Sequence, residues 1–275
     1  MASTSASLAQ RALQLDALVR ERAPLVHHIT NHVVMNFTAN VTLALGAQPV
    51  MAHAHQELEE MTGFASALVL NIGTLESAWI DSMLIAGKAA SRRATPIVLD
   101  PVGAGATRLR TETARRLLDE LDVTVLRGNP GEVLAVAGDA GKTRGVDSLA
   151  KTTDAIQAAR LLAADRKMIV AVTGPIDVIT DGTVTYEVAN GHPLFGRVTG
   201  TGCAATTAIG CFVGVAPPED RGLAVASALA VYGRAGELAA DKSSGPGTFV
   251  PALIDALYHV PHAVDASSLR IARKS

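Results

Sequence analysis

Small residues precede a cysteine in the segment Gly200-Thr201-Gly202-Cys203, just before a run that is predicted to be helical. Glycines let a backbone approach a ligand closely, and the free N–H groups of a first helical turn attract anions. The segment therefore predicts an anion site made of backbone N–H groups; the alternative is an ordinary glycine-rich turn into a packed helix. No lysine follows, as it would in a phosphate-binding loop, and the position is wrong for a dinucleotide fingerprint.

Three further segments place polar side chains where predicted strands end. Asp100 ends a strand before a Pro-Val-Gly turn, Glu132 falls in the first turn of a predicted helix, and Thr173 ends another strand. Ligands of α/β proteins bind at the carboxyl ends of strands, so we expect these residues to converge. Taken singly, either carboxylate could be a simple turn or helix cap. Together, two carboxylates facing an anion site fit a hydrated Mg²⁺ and phosphoryl transfer.

Nearly continuous apolar runs alternate with helical patterns, which is typical of a parallel sheet buried on both faces. The predicted strands are residues 66–72, 96–100, 123–126 and 168–173. The predicted helices are a first one that stops before Pro24, then residues 33–45, 77–92, 111–121, 130–137 and 147–164. The pattern predicts an α/β fold with a mostly parallel central sheet and helices on both faces.

The rhythm changes after residue 175. Residues 177–180 and 183–188 are predicted to form an antiparallel hairpin around Asp181-Gly182. Only helices are predicted beyond it, at residues 201–216, 218–240 and 249–259. No linker or repeat interrupts residues 20–262, so we predict a single domain over residues 1–275, with a frayed tail after about residue 262.

Composition excludes several classes of function. The 275 residues carry a net charge of −2 with mixed signs and only 3% aromatic residues, which argues against a nucleic-acid surface. No secretory signal is visible, and no apolar run approaches the roughly 20 residues that span a bilayer. Cys203 and Cys211 are eight residues apart on one predicted helix, about 12 Å by helical rise, which is too far for a disulfide. We expect a reduced, cytoplasmic enzyme with no nucleic-acid or membrane partner.

Six segments, in this order, resemble those of the hydroxyethylthiazole kinases of thiamine salvage, in the ribokinase-like superfamily. They are NFTANVTLALG at 36–46, QPVMA at 48–52, LDPVGAG at 99–105, RGNPGE at 127–132, VTG at 172–174 and TGTGCA at 199–204. The resemblance implies a ribokinase-like fold. It also implies ATP-dependent phosphorylation of the hydroxyl of 4-methyl-5-(2-hydroxyethyl)thiazole, with Mg²⁺, by a homotrimer whose active sites lie between subunits.

The resemblance also implies roles for individual residues. The substrate contacts are Met51, Gly200 and Asn31, the ATP contacts are Arg127, Thr173 and Asn129, the Mg²⁺ ligands are Asp100 and Glu132, and the catalytic positions are Gly200, Gly202 and Cys203. Most ribokinase-like enzymes have an aspartate base where this chain has Cys203. We expect Cys203 mainly to shape the site, with partial thiolate character available from the helix N-terminus. The alternative is an inert packing residue.

Several other functions are compatible with the same predicted fold. A phosphomethylpyrimidine kinase, a sugar kinase or a dehydratase of hydrated nicotinamide nucleotides would have the same fold, but each is expected to carry aspartate after Gly-Thr-Gly. A nucleotide-binding module without catalysis is disfavoured by the intact Asp100, Glu132 and Arg127. A purely structural protein would not need so many glycine-bearing strand ends. The sequence leaves open whether close analogues of the thiazole are also substrates.

Overall fold

One mostly parallel sheet organises the chain. A computed structural model describes residues 6–138 and 148–274. In these residues nine strands form a sheet of order β2-β1-β3-β4-β5-β6-β7-β8-β9. The strands are β1 Leu25–Ile29, β2 Gln48–Val50, β3 Ala67–Asn71, β4 Ile97–Asp100, β5 Val125–Gly128, β6 Ile169–Val172, β7 Asp177–Thr180, β8 Thr185–Val188 and β9 Ile271–Lys274.

The register of the sheet brings the polar strand ends together. Strands β1 to β6 run parallel, whereas β7, β8 and β9 are antiparallel. Asn71 at the end of β3 pairs with Asp100 at the end of β4. Gly128 at the end of β5 pairs with Val172 at the end of β6. Because parallel strands end at the same edge, the residues that follow them share that edge.

Helices cover both faces of the sheet, which confirms the predicted α/β architecture. Helices α1, α2, α8, α9 and α10 pack on one face and α3 to α7 on the other. The described helices are α1 Leu8–Arg22, α2 Met35–Ala44, α3 Leu58–Phe64, α4 Ser77–Arg92, α5 Arg108–Glu120, α6 Pro130–Ala137, α7 Ser148–Arg166, α8 Thr201–Val213, α9 Arg221–Asp241, α10 Pro246–Tyr258 and α11 Val260–Ala263. Within the described ranges, no helix is both long and apolar enough to cross a membrane.

The predicted elements mostly coincide with the observed ones. The four predicted buried strands correspond to β3, β4, β5 and β6, and the predicted hairpin is β7–β8. Helices α4 and α6 have the predicted bounds. The helix predicted over residues 147–164 is α7, and its predicted first residue, Asp147, lies outside the described residues. Strands β1 and β2 and helix α3 were not predicted.

Two expectations about the C-terminus are wrong. The chain after the hairpin is not all helix, and the residues after 262 do not form a frayed tail. Strand β9 pairs antiparallel with β8, and Lys274 forms an ion pair with Glu187 at 2.9 Å. The physical reason is that a four-residue basic strand has no periodicity of its own to detect; it is ordered by its ladder with β8.

Helix α8 lies closer to the sheet than most side chains would allow. It is buried along nearly its whole length. A Cβ atom placed on Gly210 would lie only 2.7 Å from Cγ2 of Val69 in β3. Glycine at this position therefore lets the helix rest directly on the strands, with its N-terminal turn, which includes Cys203, above the edge where they end.

Candidate active site

Asp100 is the most deeply buried charge at this edge. Its side chain is completely buried, and its Oδ2 accepts hydrogen bonds from Asn71 Nδ2 at 2.9 Å and Thr206 Oγ1 at 2.8 Å. Arg127 Nη1 lies 3.8 Å from the same oxygen. Burial raises the pKa of Asp100 to about 6, against the opposing effect of the Arg127 charge. The other oxygen, Oδ1, is buried with no hydrogen-bond partner, so it is free to take a cation or a further donor.

A chain of amides joins Asp100 to the predicted catalytic cysteine. Asn71 Oδ1 accepts a hydrogen bond from Asn31 Nδ2 at 2.8 Å. Asn31 Nδ2 also donates to Cys203 Sγ at 3.6 Å. The structure thus brings together Asn31, Asp100 and Cys203, three of the predicted site residues. Asn71, which connects them, was missed, although it ends a predicted strand as Asp100 does.

The thiol of Cys203 is held in its protonated form. Burial and the neighbouring charge of Asp100 raise its pKa to about 11, against smaller opposing effects of Asn71, Arg127 and Asn31. The expected partial thiolate character is therefore wrong. The thiol sits in the first turn of α8, where desolvation and the nearby Asp100 carboxylate favour its neutral form.

The three predicted ATP contacts line one cavity. Arg127, Asn129 and Thr173 face a cavity of about 670 Å³. Arg127 Nη2 donates to Thr173 Oγ1 at 2.6 Å, which fixes the guanidinium across the ends of β5 and β6. Its Nε is buried without a partner. Residues 190–193, Phe195, Gly196 and the first residues of α8 also line the cavity.

Glu132 caps a helix and braces a loop. Its Oε2 accepts the backbone N–H of Asn129 at 2.9 Å, while Asn129 Oδ1 accepts that of Glu132, forming a capping box at the start of α6. Its Oε1 accepts the N–H of Gly103, in the loop after β4, at 2.8 Å. An ionised carboxylate has about four lone-pair positions, so these two bonds leave room for further contacts. The capping role anticipated as an alternative is confirmed; a metal-binding role stays a prediction.

The two glycines before Cys203 are each packed closely against a side chain, and the two side chains belong to different parts of the site. Gly200 has φ +83°, and a Cβ there would lie 2.7 Å from Val34 Cγ1. A Cβ on Gly202 would lie 2.9 Å from Arg127 Nη1. No side chain caps the N-terminus of α8. The first turn therefore has no side-chain cap, with Gly200 against the α2 side and Gly202 against Arg127 and the cavity. An anion site at this turn stays a prediction.

Met51 stands apart from these groups. It follows β2, beyond β1 at the outer end of the sheet, and it is half-buried. It is not among the residues that line the cavity. Across residues 6–138 and 148–274, no group of three or more histidine, cysteine, aspartate or glutamate side chains is arranged to hold a metal ion. A cation at this edge would have to be held by fewer carboxylates, as Mg²⁺ is.

The cavity also contains residues that sequence reasoning missed. Asp177 accepts the N–H of Gly174 at 2.9 Å, and burial raises its pKa to about 6. Phe195 stacks on Tyr232 with ring centroids 5.0 Å apart. The hydroxyl of Tyr232 donates to the carbonyl of Thr201 at 2.9 Å, which ties α9 to the start of α8. These residues come from the hairpin, the following loop and α9, and only the fold brings them to one place.

The raised pKa of Cys203 makes its alkylation slow. A shift from 9.0 to about 11 leaves about 100-fold less thiolate near pH 8, so iodoacetamide should label Cys203 about 100-fold more slowly than a free thiol. The rate should rise as the pH approaches 11. Asp100→Asn should speed labelling, because it removes a charge that raises the pKa. Mass spectrometry of quenched samples measures each rate.

Cys203→Ala is the control for this experiment. It leaves Cys211, which is completely buried, so the folded variant should not be labelled on the same timescale. Labelling of Cys203 at the rate of a free thiol at pH 8 would contradict the assigned ionisation.

Comparison with known proteins shows which family this chain resembles over its length. A model of the hydroxyethylthiazole kinase family matches residues 17–263. A protein named hydroxyethylthiazole kinase from Desulfosudis oleivorans is 58% identical over 266 residues, which cover 96% of this chain and 96% of that protein. The solved structure of a hydroxyethylthiazole kinase protein from Pyrococcus horikoshii is 43% identical, with a TM-score of 0.86, and the match covers 96% of this chain and 99% of that one.

More distant likeness concerns the fold. Pyridoxal kinase from Staphylococcus aureus, solved in complex with AMP-PCP, is 17% identical with a TM-score of 0.55 over 76% of this chain and 86% of its own. That likeness supports the ribokinase-like architecture. The family match, the close relatives and the shared fold lead to one conclusion: the chain belongs to the hydroxyethylthiazole kinase family.

Proposed function

We propose that this protein transfers the γ-phosphoryl group of ATP to the hydroxyl of 4-methyl-5-(2-hydroxyethyl)thiazole, in thiamine salvage. The observation that carries the proposal is the position of the first turn of α8. Gly202 faces Arg127 and the cavity, whereas Gly200 faces Val34 of the α2 side. Cys203 is in contact with Asn31. The turn thus stands between two groups of residues, one suited to a nucleotide and one to a small acceptor.

The cavity side suits ATP. Its volume of about 670 Å³ is adequate for a nucleotide. The Arg127 guanidinium lines the cavity and can donate charge-assisted hydrogen bonds to phosphate oxygens. Thr173 and Asn129 add polar groups at neighbouring strand ends. The stacked Phe195 and Tyr232 give the cavity an apolar wall.

The other side suits the thiazole alcohol. Asn31, held by its neighbours, can position a polar group close to Cys203. Gly200 leaves backbone rather than side chain facing the acceptor. Met51 would complete the site with a thioether, which packs well against an aromatic ring. In this proposal the hydroxyl of the acceptor points at the α8 turn.

The acidic residues fit Mg²⁺. Asp100 has a buried oxygen without a partner, and Glu132 keeps lone pairs beyond its two backbone bonds. Their charges are close enough for that of Glu132 to raise the pKa of Asp100. We propose that these two carboxylates hold Mg²⁺, directly or through water. When bound, the ion neutralises charge on the phosphate oxygens as the phosphoryl group moves.

Catalysis in this arrangement rests on positioning and on the anion site. The N–H groups of the α8 turn and the Arg127 guanidinium would stabilise the transferring phosphoryl group. A thiol with a pKa of about 11 is a poor base near neutrality. Phosphoryl transfer through a loose transition state needs little help from a base, so Cys203 would contribute mainly shape.

We also propose a cytoplasmic homotrimer with active sites between subunits. Support comes from the β2 end of the sheet, where Met51 follows β2 and where α2 contacts β2. Leu43 of α2 and Val33, shortly before α2, are more than half exposed. A neighbouring subunit over this region would bury these apolar groups and close the thiazole side. The mass in solution, measured by light scattering, tests the stoichiometry.

A substrate panel tests the proposed reaction. The purified protein is incubated with ATP, Mg²⁺ and one acceptor at a time, and phosphorylated product is scored by mass. The thiazole alcohol should be phosphorylated at least 100-fold faster than hydroxymethylpyrimidine, pyridoxal or ribose, because a pocket fitted to one heterocycle excludes others by order-of-magnitude factors. Faster turnover of any other acceptor would contradict the proposal.

The acidic pair gives a second prediction. Asp100→Asn and Glu132→Gln should each lower kcat by about 100-fold or more, because loss of one electrostatic group in phosphoryl transfer has effects of this size. Glutamine has one side-chain oxygen for the two backbone N–H groups that Glu132 accepts, so Glu132→Gln should lower the thermal unfolding midpoint, and its kcat is compared at a temperature where the variant is folded. Near-normal kcat at limiting Mg²⁺ in both folded variants would leave capping and packing as the only roles of the two carboxylates.

Variants of Cys203 test the limited role of the thiol. Cys203→Ala should lose less than the roughly 100-fold that removal of a general base causes. Cys203→Asp should turn over at least as fast as the wild type, since the charge of Asp100 would raise the pKa of the new carboxyl as it raises that of the thiol. Single-turnover kinetics measure the chemical step. A folded, ATP-binding Cys203→Asp protein with no turnover would make the thiol itself essential.

A further inference from the structure

One wall of the cavity is built from a short loop that is held from behind. Residues 190–193 follow β8 and line the cavity. The side chain of Asn190 is buried: its Nδ2 donates to Ser268 O at 3.0 Å, and its Oδ1 accepts the N–H of Arg270 at 2.7 Å. Gly191 has φ +147°, and nothing lies within 4 Å of a Cβ placed on it. Gly191 therefore has no side-chain packing of its own, and the side chain of Asn190 anchors the loop to the segment around residues 268–270.

Glu237 of α9 is the centre of these contacts. Its Oε1 accepts hydrogen bonds from the N–H of Gly191 at 2.9 Å, from Asn190 Nδ2 at 3.2 Å and from Arg270 Nη2 at 2.6 Å. Its Oε2 accepts one from Arg234 Nη1 at 2.9 Å. Burial pushes the pKa of Glu237 upward, but the hydrogen bonds outweigh burial and hold the pKa below its ordinary value. The carboxylate is therefore ionised and locked in place by two guanidinium groups.

The segment that enters β9 also holds this loop, through Arg270. Val188 of β8 pairs with Ile271 of β9, which sets Arg270 beside Ala189. The N–H of Ala189 donates to Arg270 O at 3.0 Å, and the guanidinium of Arg270 donates back to Ala189 O. Neither Glu237 nor Arg270 lines the cavity. The residues after 263 also lie outside the stretch that the family model matches.

We propose that Glu237 and Arg270 are positioning residues for the nucleotide: they fix the Asn190–Gly191 wall and so set the affinity for ATP without touching the reacting atoms. The proposal rests on the proposed function, in which ATP occupies this cavity. Its physical basis is that a wall ordered in advance spares the nucleotide the loss of freedom that ordering a loop would require. The backbone approaches α9 closely here, since a Cβ on Gly233 would lie 2.6 Å from Asn190 O.

The test is steady-state kinetics on single variants of the full chain. Glu237→Ala removes the acceptor for Gly191 and Asn190 and should raise KM for ATP about tenfold, the equivalent of one ordinary hydrogen bond. The kcat and the KM for the thiazole alcohol should stay within about twofold. Glu237→Gln keeps an oxygen acceptor but loses the ion pairs, so it should rescue most of the affinity. Arg270→Ala should raise KM for ATP by a few-fold.

Lys274→Ala is the matched control. Lys274 is the last residue of β9, the strand that begins directly after Arg270. Like Arg270, it forms an ion pair with a glutamate, here Glu187 of β8 at 2.9 Å. If loss of β9 contacts merely loosened the edge of the sheet, Lys274→Ala and Arg270→Ala would weaken ATP binding equally. The proposal requires an effect for Arg270→Ala only, with similar thermal unfolding midpoints for the two variants.

Arg127→Gln, measured alongside, separates this inference from the assignment of the cavity. If Arg127→Gln raises KM for ATP and the folded Glu237 and Arg270 variants leave it unchanged, the positioning role is overturned and the nucleotide site stands. If the Arg127 and Glu237 variants raise KM for the thiazole alcohol instead, the cavity does not hold ATP and both conclusions fall. Equal effects of Arg270→Ala and Lys274→Ala also overturn the positioning role.

Discussion

A single buried carboxylate constrains the arrangement of the site. Asp100 is completely buried, and it is compensated from three other elements: Asn71 of β3, Thr206 of α8 and, at 3.8 Å, Arg127 of β5. A buried charge without partners strongly destabilises a fold, so the donors must be in place when the chain is folded. The helix that carries Cys203 is thereby positioned against the strands by the same groups that create the site.

The same carboxylate determines what the neighbouring thiol can do. Burial and the charge of Asp100 raise the pKa of Cys203, so the position where the family resemblance led us to look for a base is occupied by a neutral group. In the proposed function the electrostatic contribution then falls to groups that need no proton transfer, namely Arg127 and the N–H groups of the α8 turn. Gly202 matters for this reason: a Cβ there would collide with the Arg127 guanidinium.

Elements with a clear local pattern of apolar residues were predicted from the sequence. Elements that depend on contacts with residues far along the chain were missed. Strands β3 to β6 were found because each contains a run of apolar residues, with polar residues only near the carboxyl ends. Strand β1 was missed because His27 and His28 interrupt its apolar run, yet both are buried: His27 bonds Thr62 and the Ala52 carbonyl, and burial lowers the pKa of His28 to about 3. Strand β2 has three residues and contains Pro49, as edge strands can. Strand β9 exists only through its pairing with β8.

The residues of the candidate site were likewise predicted or missed according to whether a local sequence pattern marks them. Asp100 and Thr173 were predicted because strand ends of a parallel sheet converge, and Arg127 was predicted from the family resemblance. The structure places Arg127 beside both. Asn71 obeys the same rule, and only its neutral amide made it less conspicuous than a carboxylate. Glu237 could not have been found, because it acts on residue 191 from 46 positions away, through a fold that the sequence does not display.

The two halves of the sheet contribute differently to this division. The parallel strands β1 to β6 deliver polar residues to one edge directly, each from its own carboxyl end. The antiparallel strands β7 to β9 deliver loops instead: Asp177 begins β7 and braces the turn after Thr173, and the Asn190–Gly191 wall leaves β8 and is fastened by the segment that enters β9. An antiparallel extension returns the chain to the edge where β6 ended. The parallel half therefore supplies Asp100 and Arg127, and the antiparallel half builds and holds one wall of the cavity that we propose as the nucleotide site.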